Sequence, residues 1–189
     1  MRSRCISLLL AALAFGCGTS RATKIQQVEQ TVRDEQAPEK LLARGKMFAS
    51  LGDHTRAEQY FTSALEGGAR TEDVLPHLMR SYVVSARFRS AVDVGERYLA
   101  KSPEDVSLRF LVATMHSAIG QHDRARAHLV RVVRDSPNHS DAHYALAVLM
   151  RDVEQDWVQA DYHFREYLKL NPAGSHAAEA RDSLLKNVP

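Results

Sequence analysis

The order of apolar and polar side chains divides the chain into four regimes. A mostly apolar run, Ile6 to Phe15, follows Arg2 and Arg4. Residues 19–37 are polar, with Ile25, Val28 and Val32 at helical spacing and little else to bury. From Pro38 onward apolar residues return every three or four positions, the period of short amphipathic helices. In the stretch from Val106 to Ala118, Leu108, Leu111, Val112 and Met115 share one helical face, while Phe110, Thr114 and Ser117 share the other. A last amphipathic stretch, Ser175 to Leu185, carries Ala178, Ala180, Leu184 and Leu185. The pattern predicts an all-α protein.

The helical pattern also repeats. Ala57, Ala91 and Ala125 recur at one fixed interval, and Ala160 follows a single place late; Pro103, Pro137 and Pro172 keep the same spacing and the same delay. Gly52 and Gly120 precede their alanines by five residues. His54, Phe88, His122 and Trp157 precede theirs by three. Ala64, Tyr98, Val132 and Tyr167 each follow seven later. Together with "LGDHTRAEQYFTSALE" and "YLKLNPAGS", this spacing resembles the tetratricopeptide repeat, a 34-residue helix–turn–helix. The resemblance implies a right-handed α-solenoid of four units over residues 38–174 (about 38–71, 72–105, 106–139 and 140–174). A capping helix and tail then occupy 175–189. The sequence departs from the family at Gly67-Gly68-Ala69, where Asp-Pro is usual, at Gly95 in place of a bulky residue, and at His116 in place of Tyr or Phe.

The physics of such an array accounts for the recurring residues. One helix pair cannot bury its apolar face alone and must stack on its neighbours. A small residue early in each second helix lets two backbones approach, hence the alanines. Proline just past the second helix ends it. Pro76 fits the first turn of its helix if Thr71 or Asp73 is the N-cap, since the missing amide would be unbonded there.

The leader changes the expected location. A basic start, about ten apolar residues and small residues leading into Cys17 are too short for a membrane span and right for an export signal. The segment resembles a bacterial lipoprotein signal. That implies removal of residues 1–16, lipidation of Cys17 and a polar tether over 17–37. Gly18 after the cysteine, in place of the Asp of inner-membrane retention, implies the periplasmic face of the outer membrane. The alternative is cleavage after Ala14, at Ala12-Leu13-Ala14, which gives a soluble periplasmic protein with Cys17 as its sole thiol. Loss of Arg2 and Arg4 with the leader leaves basic and acidic residues equal in number. No basic face with interleaved aromatics remains for nucleic acid.

The chemistry searched for is absent. His139 and His143 stand at i,i+4, but no thiol or carboxylate joins them at zinc spacing, so no metal is expected. His116 reads as a satisfied core histidine, and Trp157, in the slot of Phe88, as packing. Residues 152–156 form a turn longer by one residue, without the ligands of a calcium loop. No nucleophile motif, P-loop or dinucleotide fingerprint occurs. Neither catalysis, a cofactor nor a small-molecule substrate is expected.

A partner is instead expected on the first helices of the units. Lys46, Arg80, Phe110, Thr114, Tyr144, Val148 and Arg151, with Leu42, Ala49, Pro76, Val83 and Ser117, make a face of cations and aromatics without an acid. Such a face suits a protein or peptide segment bearing an apolar side chain and a carboxylate. Without an Asn it lacks the carboxylate clamp of chaperone-type repeats. The expected function is a membrane-anchored periplasmic interaction scaffold. One reading resembles lipoproteins that assemble type IV pilus secretins. A second is an adaptor for outer-membrane protein insertion or envelope proteolysis. A third, of a different class, is an accessory subunit of an envelope enzyme.

Overall fold

The computed structural model describes residues 19–186. The leader, Cys17 and the expected cleavage sites lie outside the described residues. Within them the chain is all-α, built from helical hairpins, with no strand. The helices are α1 Thr19–Glu35, α2 Pro38–Ser50, α3 His54–Glu66, α4 Thr71–Val84 and α5 Phe88–Leu99, followed by α6 Val106–Ala118, α7 His122–Asp135, α8 Ser140–Leu149, α9 Trp157–Leu170 and α10 Ala177–Asp182. Two compact units divide the chain, residues 1–74 and 75–189.

In the first unit, α1 exposes Ile25 and Val28, as its polar sequence implies. At its end Glu35 holds Arg44 and Lys40 of α2. The hairpin α2–α3 buries Phe61 against Gly45 and stacks Phe48 on Tyr60, with ring centroids 5.3 Å apart.

The second unit stacks α6–α7 and α8–α9 around Leu129, Val132, Leu146, Phe164 and Tyr167, and α10 covers the last pair with Ala177 and Ala180. The recurrent alanines are buried in both units: Ala57, Ala91, Ala125 and Ala160. At Gly95, a departure from the family pattern, an added Cβ would collide with Val112, so the missing side chain is what lets α5 and α6 touch.

Turn chemistry sets where each second helix starts. The residue that reverses the chain is left-handed in all four hairpins: Gly52 (φ 78°), Ala86 (φ 54°), Gly120 (φ 75°) and Gln155 (φ 57°). Asp53 and Asp156 then accept the backbone amides of Arg56 and Gln159 at 3.0 and 3.1 Å at the starts of α3 and α9, and Asp105 accepts that of Leu108 at 2.8 Å at the start of the first helix α6. The late arrival of Ala160 has a structural form. After α8 the chain widens into one π-helical turn, Met150–Glu154, which absorbs the extra residue before Gln155.

Three placements differ from the sequence reading. Pro76 is the sixth residue of α4, not in its first turn, because the helix begins at Thr71. Asp73 does not cap it; Arg70 occupies both its oxygens, at 2.8 and 3.0 Å. Trp157 is 52% exposed. It opens α9 directly after the lengthened turn and does not fill the inter-helix slot. Ala178 faces solvent and Ala177 is buried instead, a shift of one residue in the register of α10.

Candidate binding cleft

The first helices α6 and α8 each place a half-buried aromatic, packed on the edge of the core, at the same repeat position, Phe110 and Tyr144. Between them lies an open, mostly apolar cleft of about 660 Å³, within the ~300–1,000 Å³ range of ligand pockets. Phe110 and Thr114 form one wall, Tyr144 and Val148 the other, with Leu129 of α7 also lining it and Ser117 at its edge. Five of the residues singled out in the sequence thus meet in one place. The cations do not join them. Arg80 is exposed on α4 and lies outside the cleft lining, and Lys46 is exposed on α2 in the other unit.

Arg151 is committed within the fold. Its guanidinium donates to Asp152 at 2.6 Å, to Glu179 at 3.0 Å and to Ser183 at 2.6 Å, and sits 5.3 Å above the ring of Phe164. Hydrogen bonds to Asp152 hold its pKa above the usual range despite burial, and those from Tyr144 and Arg151 hold Glu179 below its own. Glu179 also accepts the Tyr144 hydroxyl at 2.5 Å, and burial followed by that bond pushes the phenol up to about 12. Tyr144 further stacks on His176, with centroids 4.0 Å apart, and touches Phe164 and Tyr167. The cap therefore fastens to the cleft wall through one acid. Phe110 packs on His139, with centroids 4.6 Å apart, and His139 Nδ1 in turn accepts the Ala142 amide.

This geometry corrects two sequence expectations. Tyr144 is a packing residue as well as a surface aromatic, because α10 brings His176 and Glu179 onto it. The face is also not free of acids, since Asp141 and Asp152 line the cleft. No cation among the described residues pairs with Asp141, so the cleft does not favour an incoming carboxylate. Sequence periodicity misses His176, Asp141 and Asp152 because they reach the site from a cap turn, a helix start and a π turn. A shift by one repeat does not read those positions.

Comparison with known proteins gives the class. A tetratricopeptide repeat model matches residues 113–175. A structure described as YrrB, "a TPR protein with an unusual peptide-binding site", is 18% identical with a TM-score of 0.68, over 86% of this chain and 88% of that one. A tetratricopeptide repeat protein from Parabacteroides merdae is 18% identical with a TM-score of 0.70, over 78% of this chain and 59% of the other. MamA from Desulfovibrio magneticus is 20% identical with a TM-score of 0.65, over 82% and 92%. No curated protein matches by sequence. Residues 113–175 carry the tetratricopeptide repeat pattern, and the likeness of fold to such proteins extends over most of the chain.

Proposed function

We propose that the protein is a lipid-anchored scaffold of the bacterial envelope that captures a partner segment in the cleft between Phe110 and Tyr144. The cleft itself carries the reading: an open, mostly apolar recess on the first-helix face, walled by aromatics of two adjacent repeats. The peptide-binding site named for YrrB, of like fold, supports it. With Arg151 neutralised and Asp141 unpaired, the segment is one with an apolar side chain flanked by neutral or basic residues. Its place in the cell follows from the leader: Cys17 acylated, the α1 segment as tether, the repeats on the periplasmic face of the outer membrane. No helix among the described residues is long and apolar enough to cross a membrane. The partner class that fits such an address is a subunit of an assembled envelope complex, a pilus secretin or barrel-insertion machinery.

Two measurements test the reading. Ser117→Trp fills the cleft from its exposed edge and leaves every packed aromatic in place. Peptides selected on the wild-type chain from a random library should lose roughly tenfold or more in affinity for this variant, as loss of a buried hot-spot contact does. Undiminished binding would place the interface elsewhere. Cys17→Ser should move the protein from the membrane pellet to the soluble fraction, because dual acylation is what makes anchoring stable. Retention in the pellet would reject the lipid anchor.

A further inference from the structure

Three successive helices of the second unit each deliver one metal-ligating side chain to the same point. Glu96 stands in α5, His116 in the last turn of α6 and His128 midway along α7. The Nε2 atoms of His116 and His128 lie 2.9 and 3.0 Å from the same Glu96 oxygen, and all three donor atoms fall within 4.8 Å of one another. The two rings are nearly parallel, with centroids 5.4 Å apart. His116 is fully buried, while the Glu96 side chain is 38% exposed and opens the cluster to solvent.

We propose that Glu96, His116 and His128 form a binding site for a divalent transition metal of the zinc class, leaving a fourth position open. Two imidazoles and one carboxylate are a donor set suited to zinc, at about 2.0–2.2 Å from the ion. Ligand atoms on a tetrahedral ion at those bond lengths stand about 3.3 Å apart, close to the two nitrogen–oxygen distances of 2.9 and 3.0 Å. The surroundings select the metal-binding tautomer of His116. Its Nδ1 lies 2.7 Å from the Gln121 side-chain oxygen, which only accepts, so a proton sits on Nδ1 and Nε2 is the ring atom turned to the carboxylate. A second-neighbour carbonyl that fixes a ligand tautomer is a regular feature of metal sites.

The group that opposes the ion is Arg109, whose guanidinium lies 3.4 Å from His128 Nδ1. Its other end is tied to the Pro103 carbonyl, so it cannot retreat far, and it weakens the site relative to a closed structural one. The cluster is also no requirement of the repeat. The equivalent positions one unit on hold Val130, Met150 and His163.

The test uses the tag-free full chain in detergent, stripped with a chelator, and titrated with zinc chloride against a chromophoric competitor. Cobalt(II) absorption then reports geometry. Wild type should take up one equivalent, and the cobalt form should show intense tetrahedral bands. Glu96→Gln and His128→Gln should each lose roughly tenfold or more in affinity with helicity unchanged, whereas His163→Gln, away from the cluster, should bind as wild type. Absence of uptake by wild type overturns the site, as does uptake indifferent to both ligand variants. Should either variant unfold, the wild-type cobalt spectrum decides: weak octahedral bands reject the three-ligand set.

Discussion

The third and fourth repeats occupy equivalent slots with different chemistry. In the third, Arg109 reaches back to the carbonyl of Pro103 and across to His128. In the fourth, at the matching position one repeat on, His143 bonds the carbonyl of Pro137 at 3.0 Å and meets His163, Nδ1 to Nδ1, at 3.0 Å. The task is the same: satisfy the proline-turn carbonyl and bridge the first helix to the second. A long charged side chain and a short neutral one both perform it. The consequences differ. Arg109 keeps its charge over the ordinary pH range, whereas the fourth repeat relies on two imidazoles in contact. Its Nδ1 contact needs a single shared proton, because His143 already donates through Nε2.

Acid should therefore separate the two repeats most strongly. Burial, and then the charge of His143, push His163 down to about 4, with Glu166 opposing. An unfolded histidine takes its proton near 6.5. The stabilisation is complete above that value, declines as pH falls and is lost near the folded pKa, about 3 kcal/mol in all. His128 shifts the same way, first through burial. Urea midpoints at pH 7 and 4.5 should differ by that order, and the difference should shrink in His163→Gln. An equal drop in the variant would assign the acid sensitivity to other groups.

The aromatic slots give the next largest contrast. Tyr144→Ala removes contacts with Phe164, Tyr167 and His176 together with the Glu179 bond, and should cost roughly 2–3 kcal/mol, below the range for a fully buried aromatic. Phe110→Ala, with His139 as its ring partner, should cost about half as much. Thermal melts of the two variants read the difference directly, and equal losses would mean that α10 adds nothing to the wall.

Ala125→Leu and Ala160→Leu should behave alike. Both residues are buried where a second helix meets its first, and overpacking there costs about 1–3 kcal/mol. An unchanged melting transition for either would show the hairpin yielding at that alanine.

The smallest effect tests the turns. Gly120→Ala should destabilise by about 1 kcal/mol, because a Cβ at φ 75° is strained. Gln155→Gly should stabilise by about half that, since the same strain is already present at φ 57°. Loss of stability in Gln155→Gly would mean that the π turn, not the left-handed residue, sets the chain reversal.

Much of this molecule was legible in its sequence. The repeat period fixes four hairpins, because a small residue must recur wherever two helices close, and Ala57, Ala91, Ala125 and Ala160 are all buried. The same shift aligns Phe110 with Tyr144 and Thr114 with Val148, and these four line one cleft. The delay before Ala160 gives the extra residue, though not the π turn that houses it. Helix termini were harder. Pro76 and Ala178 were misplaced by local choices, since a short side chain such as Asp73 takes whichever partner lies nearest, here Arg70.

What tertiary structure alone decided is which side chains meet across repeats. Arg151 reads as a free cation along the sequence. It is engaged because the chain returns through α10, bringing back Glu179 and Ser183, which are remote from it in sequence. Trp157 reads as packing by analogy with Phe88, yet the lengthened turn places it outward. Glu96, His116 and His128 share no motif spacing, and only the stacking of α5, α6 and α7 draws the two histidines to one carboxylate oxygen. Periodicity specifies the face of a helix on which a residue lies. Which residue stands opposite depends on how neighbouring helices dock, and docking is set by packing over the whole interface rather than by any local pattern.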